Sequence, residues 1–411
     1  MAQSEIHSLP SVTPGSRVRS GVTVGERKLR RVSAWLLLFF LLQGELGAVW
    51  DREWHAYIGR DQFWTPPHTL IYSCVAGAGL LALAIVLFET VRYRRHVPGV
   101  DDSSTMPIFG FFHAPLGFCV LGFGALLSLI AAPLDNYWHE LYGIDIALWA
   151  PFHLMGITGG LIGILGMVYV FASEAAIQRS EKEPVRRYFG LSMLELGIIL
   201  TLASFMNFVL TGFLQFPIIT IGTMHITTYP LPLVMGGAFC FVAVTRALQK
   251  PGAATFLTLL LVLHTLIVEL FVPWAIRAAV GQHTALYRIP GKIPYFGWDY
   301  ALLPLMYIIS SIIIDLVAYR MRKRSGTTNS TLLWTALLGI IITPSTLLLA
   351  PLLLRTYTGF APVFLPEPGI AIPAPQLTLI VTLSIGIALI AGALGALLGA
   401  DFGDIWRWNK R

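Results

Sequence analysis

The chain has 411 residues, of which 55% are hydrophobic and only 12% charged, and its mean hydropathy is +0.71. A soluble domain carries about 25% charge, so this composition excludes a water-soluble globular protein and points to an integral protein of the cell membrane. The formal net charge of +6 does not indicate nucleic-acid binding, because the lysines and arginines fall at the ends of apolar runs, where topology signals belong.

Residues 1–31 are polar and basic, and the first 30 are rich in Ser, Pro and Gly. They are expected to form a disordered cytoplasmic tail. The apolar run that follows has no small-residue cleavage site, so it reads as a retained helix and not as a signal peptide. Apolar runs of about 18–25 residues are taken as spans, and they predict ten helices near 32–55, 68–92, 107–139, 151–173, 189–213, 228–248, 255–276, 298–319, 331–353 and 377–401. The third is long enough to require a break between Pro107 and Pro115. The fold class is therefore all-α, a polytopic helical membrane bundle built from repeated helix–loop–helix pairs. Residues 32–173 form a four-helix unit and 174–411 an additional six-helix region, and no composition break suggests a separate soluble domain. Cys74, Cys119 and Cys240 lie inside apolar runs without CxxC spacing, so neither a disulfide nor a thiolate metal site is expected.

With the N-terminus in the cytoplasm, 22 of the 28 lysines and arginines lie on inner segments. The outer segments keep Arg52, Arg60, Arg277, Arg288, Lys292 and Arg355. This bias predicts that both termini are cytoplasmic. Trp50, Trp54, Trp64, Trp138, Trp149, Trp274 and Trp298 then form an outer aromatic belt.

One stretch between the first two spans occurs twice. Asp51, Trp54, His55, Gly59 and Asp61 reappear at identical spacing as Asp135, Trp138, His139, Gly143 and Asp145. The closing Pro67-His68 returns one residue later as Pro151-Phe152-His153. Residues at i and i+4 share a helix face, so Asp51 and His55 point into the same space, as do Asp135 and His139. Chain reversal brings His68 and His153 to the first turn of the following antiparallel helix, where Pro66, Pro67 and Pro151 suit the start. A single Asp-x3-His is usually interfacial polarity; a repeated one, closed each time by a further histidine, reads as two metal-ligand triads. Both would lie near the extracytoplasmic face.

Two imidazoles and a carboxylate make an open site suited to copper, iron or zinc, with Cu(II) favoured by the Irving–Williams order. Asp61 and Asp145 are candidates to orient ligands or relay protons, and Trp54 and Trp138 to wall the sites. A decayed third copy is suggested by Asn207, Thr211 and His225, which repeat the four-then-fourteen spacing of the second triad. Glu45, ten residues before His55, is a candidate for a proton path. His113, Glu195, His264, Glu269 and Asp315 are expected to make helix–helix hydrogen bonds, and His283 to lie on the surface.

The first motif closely resembles that of the C subunit of particulate methane and ammonia monooxygenases: Asp51, Trp54, His55, Arg60, Asp61, Thr65, Pro66 and His68, with Tyr72 four residues on. In that family an aspartate and two histidines at this spacing bind copper. The second triad resembles the neighbouring copper site of that subunit, with Asp135 in place of an asparagine. The resemblance covers about residues 32–173, and no periplasmic cupredoxin-like domain is present in the chain. It implies two mononuclear copper sites, a monooxygenase acting on methane, ammonia or short hydrocarbons, partner monooxygenase subunits and a quinol electron donor. Alternatives are a non-catalytic protein that binds or transports copper or zinc, a haem-bearing electron carrier with His68 and His153 as axial ligands, and a proton-coupled transporter. The methionines form no thioether clusters of the kind a Cu(I) conduit favours. Neither the haem nor the transporter reading explains why an aspartate and two histidines recur together.

Overall fold

A computed structural model describes residues 24–59, 62–97, 105–143, 150–213, 218–221, 224–227, 230–281, 283–323, 328–353 and 374–407. Ten of its helices are long and apolar enough to cross a membrane. The chain is thus an all-α, multi-pass membrane bundle, with the number of spans expected from hydropathy.

The first four spans are α1 (Val24–Tyr57), α2 (Pro66–Arg94), α3 (Leu116–Tyr142) and α4 (Pro151–Ser180). The end of α2 lies beside the start of α3, because the His113 backbone N–H donates to Thr90 Oγ1 at 3.0 Å. Successive helices therefore run antiparallel, and the α1–α2 and α3–α4 connections fall at one end of the bundle. The expected break before α3 is a β-hairpin, β1 (Thr105–Ile108) with β2 (Phe112–Pro115), rather than an interrupted helix. Phe109 and Gly110 make its turn with positive φ. Residues 107–115 thus lie outside the third span, and His113 stacks on Tyr93 at the foot of α2 with a 3.5 Å centroid separation.

The opposite end is ionic. Here α1 begins at Val24, eight residues before the expected span, so 24–31 are helical and not part of a tail. Arg30 is fully buried; its Nη2 donates to Glu26 Oε1 at 2.7 Å and its Nε to Glu89 Oε1 at 2.9 Å. Arg31 grips Glu183 through two parallel bonds of 2.9 and 3.1 Å and donates to Glu174 at 3.2 Å. Buried charges are tolerable only when paired in this way. The network ties the first turns of α1 to the last turns of α2 and α4. Residues 1–23 lie outside the described residues.

The remaining spans begin with α5 (Met193–Phe213) and α6 (Pro230–Leu248), joined through a hairpin of β3 (Ile218–Ile221) and β4 (Met224–Thr227). Then come α7 (Ala253–Val280) and a broken eighth span, in which α8 (Trp298–Leu302) passes through a 3-10 turn (Leu303–Tyr307) into α9 (Ile308–Lys323). Pro304 explains the break, since it offers no N–H to the carbonyl four residues back. The ninth span divides likewise into α10 (Thr328–Ile340) and α11 (Ile342–Leu353) ahead of Pro344, and α12 (Ala374–Arg407) is the tenth. Arg179 donates to the Arg407 carbonyl at 3.0 Å, so α12 ends where α1 begins.

Of the polar residues expected to bond helix to helix, Asp315 does so and His264 pairs with Glu45 across helices, whereas Glu195 and Glu269 bond to their own helix start and to a loop, and His113 lies in a hairpin. Ser192 and Glu195 form a reciprocal capping box at the start of α5. Asp315 accepts the Thr255 N–H at 2.9 Å and the Ala254 N–H at 3.2 Å, capping α7 from a neighbouring helix. Glu269 accepts the Gly297 N–H at 3.0 Å, and His283 is exposed. The three cysteines are free. The aromatic belt is only partly superficial: Trp64, Trp274 and Trp298 are exposed, whereas Trp50 and Trp54 pack against the core. Trp149 lies outside the described residues.

Candidate metal centres

At the end of α1, Asp51 and His55 occupy the last two turns. The Ile58 and Gly59 N–H groups both return to the Trp54 carbonyl, at 2.7 and 3.2 Å. Gly59 takes φ +69°, a left-handed value that ends the helix without the cost a Cβ would bring. The helix end is also latched from outside, where the Arg288 N–H donates to the Tyr57 carbonyl at 2.8 Å.

Thr65 caps α2: its hydroxyl accepts the His68 N–H at 3.3 Å, while Pro66 and Pro67 fill the positions where a missing N–H costs nothing. His68 is thereby fixed on the first turn. Its Nδ1 lies 3.0 Å from the Gln62 carbonyl oxygen. A carbonyl can only accept, so Nδ1 carries the proton and Nε2 presents a lone pair. That Nε2 lies 3.2 Å from Asp51 Oδ1, and His55 Nε2 lies 3.6 Å from Asp51 Oδ2.

The second centre is built the same way. Asp135 and His139 lie on the last turns of α3, below Pro133, and Gly143 closes the helix with φ +84°. Pro151 opens α4 and places His153 two residues later on its first turn. His139 Nδ1 is 3.3 Å from the Gly143 carbonyl, which again turns Nε2 toward the carboxylate. His139 Nε2 and His153 Nε2 stand 3.3 and 3.1 Å from the same oxygen, Asp135 Oδ2. The two imidazole rings are 5.5 Å apart, centroid to centroid.

In each set, one ligand atom from every residue lies within 4.8 Å of the other two, and among the described residues these are the two groups of this kind. The side chains are partly buried, His153 being the most open at 26%. Among the described residues, no donor makes a hydrogen bond of good geometry to the enclosed Asp51 Oδ1 or Asp135 Oδ1. The first site therefore sets an imidazole lone pair against a carboxylate oxygen, an arrangement that repels unless a cation or an added proton lies between them. A divalent cation suits both sites, because it would satisfy three donors at once.

The walls are only partly those expected. Trp138 packs on Tyr142 and Phe152 beside the second centre, at 4.3 and 5.9 Å. Beside the first, Tyr72 lies 5.6 Å from the His68 ring and joins Phe63 and Trp64 in one aromatic cluster. Tyr72 sits one helical turn beyond His68, so the i,i+4 rule that found the ligands also finds it. Phe63 and Trp64 lie in the connection and follow no such period. Asp61 and Asp145 lie outside the described residues.

The third copy resolves differently. Asn207 is buried and engaged, its amide donating to Glu45 Oε1 at 2.6 Å. His225 lies on β4, paired in register with Thr220, and not on the first turn of α6. The hairpin takes up the chain that in the other two copies leads directly into a helix. No protein-family model, curated protein or solved structure compared with the chain matches it.

Proposed function

We propose that the two Asp-His-His triads bind copper and that the chain is a copper-dependent membrane monooxygenase, or the metal-bearing subunit of one, oxidising a small apolar substrate of the methane, ammonia or short-hydrocarbon class. The observation that carries this reading is the orientation of the imidazoles. Backbone carbonyls hold Nδ1 of His68 and His139, and the opposite nitrogens converge on Asp51 and Asp135. Carbonyl-held histidines are the usual support of metal ligands, because the outer hydrogen bond fixes the tautomer and ring angle.

Asp51, His55 and His68 would hold one ion, and Asp135, His139 and His153 the other. Two nitrogens and one oxygen with no sulfur favour copper over metals that prefer all-oxygen cages; zinc and iron are the alternatives. Bound copper would supply the one-electron redox chemistry needed to reduce dioxygen. The protein supplies the rest. Rigid helix ends fix the donors, and Phe63, Trp64 and Tyr72 make an apolar wall beside the first site suited to a small lipophilic substrate. Asp61 and Asp145 are proposed to orient ligands or relay protons. The charge bias of the loops places both termini in the cytoplasm and the triads near the extracytoplasmic face. Partner monooxygenase subunits and a quinol donor follow from the resemblance of residues 32–173.

A second reading is a non-catalytic protein that takes up or passes copper or zinc. The exposure of His153 favours it, since an open ligand lets metal exchange.

Metal analysis of the purified wild type, His55→Ala and His139→Ala tests the first claim. The expected result is two equivalents in the wild type and loss of about one in each variant. A wild type that retains no transition metal after reconstitution with copper overturns it. Oxygen consumption dependent on a small hydrocarbon or ammonia then separates the oxygenase from the metal carrier.

A further inference from the structure

Midway along α1, far from any loop, a second group of ionisable and polar side chains is buried together. Glu45 is almost fully enclosed. From α5, Ser204 Oγ donates to its Oε2 at 2.5 Å and Asn207 Nδ2 to its Oε1 at 2.6 Å. From α7, His264 Nε2 lies 3.3 Å from Oε1, within ion-pair distance though its N–H is not aligned as a hydrogen bond. From α8, the Tyr300 hydroxyl donates to Asn207 Oδ1 at 3.3 Å. Two further helices thus reach the carboxylate on α1, and a fourth joins through Asn207.

The donor pattern sets the charge. An amide NH2 and a hydroxyl donate to the two oxygens of Glu45, which suits a carboxylate anion. A lone anion inside a membrane is costly, and such groups pair with an opposite charge or line a functional path. Among the described residues no Lys or Arg forms an ion pair with Glu45. The groups facing it are Ser204 and Asn207 from α5, His264 from α7 and, one bond further, Tyr300 from α8. Among the described residues, neither α2 nor α4 forms an ion pair or side-chain hydrogen bond with Glu45. The imidazole is the group among them placed to supply the counter-charge.

We propose that Glu45 and His264 form an intramembrane proton-holding pair that serves the triad end of the bundle. In the resting pair His264 is the imidazolium and Glu45 the carboxylate. Transfer breaks the N–H bond at His264 Nε2 and forms an O–H bond at Glu45, leaving both groups neutral; no electrons move. Glu45 precedes Asp51 by six residues on the same helix, about 9 Å along its axis. Tyr300 and Asn207 donate in series toward Glu45, so they hold the carboxylate in place and do not carry a proton away from it, and the Tyr300 ring carries the Arg52 guanidinium 5.9 Å from its centroid. Arg52 adjoins Asp51, so the contacts of the pair extend to the residue next to the first triad. Oxygen activation consumes protons as well as electrons, and in that link the proposal rests on the monooxygenase reading; the proton-holding itself does not.

The test is nitrogen NMR of the full chain in lipid, labelled with 15N-histidine, in wild type, Glu45→Gln and His264→Gln. The expected result at pH 7.5 is an imidazolium signal, assigned to His264 by its absence in His264→Gln, that becomes neutral imidazole in Glu45→Gln. An ordinary histidine titrates near 6.5, about one unit lower. Should Glu45→Gln fail to fold, the pH course of the wild-type signal decides alone. Persistence above pH 7.5 supports the pair, and loss in the ordinary range overturns it. A purely structural contact would leave His264 neutral. Metal content is measured on the same samples, and unchanged stoichiometry in Glu45→Gln is expected. In an active preparation, Glu45→Gln should lower the turnover rate by about tenfold or more, with KM unchanged and a larger solvent isotope effect. A metal-free wild type would overturn the monooxygenase reading while leaving the NMR result to judge the pair.

Discussion

The two aspartates differ in how they meet their histidines. Asp51 offers Oδ2 to His55 and Oδ1 to His68, whereas Asp135 turns Oδ2 alone toward both His139 and His153. An asparagine at 135 could keep one oxygen in the same place, so Asp135→Asn should preserve the geometry and remove only the charge. A unit charge at about 4 Å contributes roughly 1–4 kcal/mol at effective dielectrics between those of water and a protein surface. The second site should then bind copper more weakly by about fivefold or more, with the first unchanged. Competition with a chelator of known affinity would measure the difference. Equal affinity at both sites would show that the Asp135 charge is not felt by the ion. The clustering of the candidate ligands was legible in the sequence because an i,i+4 spacing and a chain reversal are local rules. The partners of Glu45 were not, since Ser204 and His264 approach it from other helices, 159 residues away in the case of Ser204; only its place in an apolar run marked it.

At the scale of helices, the same locality explains what the sequence conveyed. Hydropathy located all ten spans, but it assigned 107–115 to a helix and 24–31 to a tail. Apolar residues in a short hairpin resemble the start of a span. A basic run resembles a tail unless one knows that Glu89 and Glu174 lie opposite it. Close helix contact is similarly hidden. The α3–α4 seam depends on glycine: a Cβ on Gly124 would sit 2.5 Å from the Gly159 carbonyl oxygen and the Gly163 nitrogen, whereas one on Gly160 would meet nothing within 4 Å. Small residues let membrane helices approach where no hydrophobic force drives them together. Gly124→Ala should therefore destabilise the bundle by about 1–3 kcal/mol through overpacking. Gly160→Ala, in the same helix pair, should be neutral or stabilising by up to about 1 kcal/mol from helix propensity. Thermal unfolding in detergent compares the two, and equal losses would refute the close-packed seam. Because α3 and α4 carry the second triad at their ends, Gly124→Ala should also weaken that site more than the first.

Across the whole molecule the two ends of the bundle are chemically opposite. One carries the buried Arg–Glu network, the start of α1 and the end of α12; the other carries both triads and the exposed Trp64, Trp274 and Trp298. Such polarity has a direction in a membrane. On the positive-inside rule the arginine-rich end would face the cytoplasm, and the proposed metal sites would then open to the extracytoplasmic side, where metal supply does not depend on crossing the bilayer. Single cysteines test this directly. Trp64, 71% exposed, marks the triad end, and Phe189, 94% exposed and placed between α4 and α5, marks the ionic end. On intact cells a membrane-impermeant thiol reagent should label Trp64→Cys, and should reach Phe189→Cys only after permeabilisation. The native cysteines lie within spans and provide the background in the wild type. The reverse pattern would place both triads in the cytoplasm, where metal delivery and electron donation would need different partners, and would remove the argument for a periplasm-facing oxygenase while leaving the ligand geometry intact.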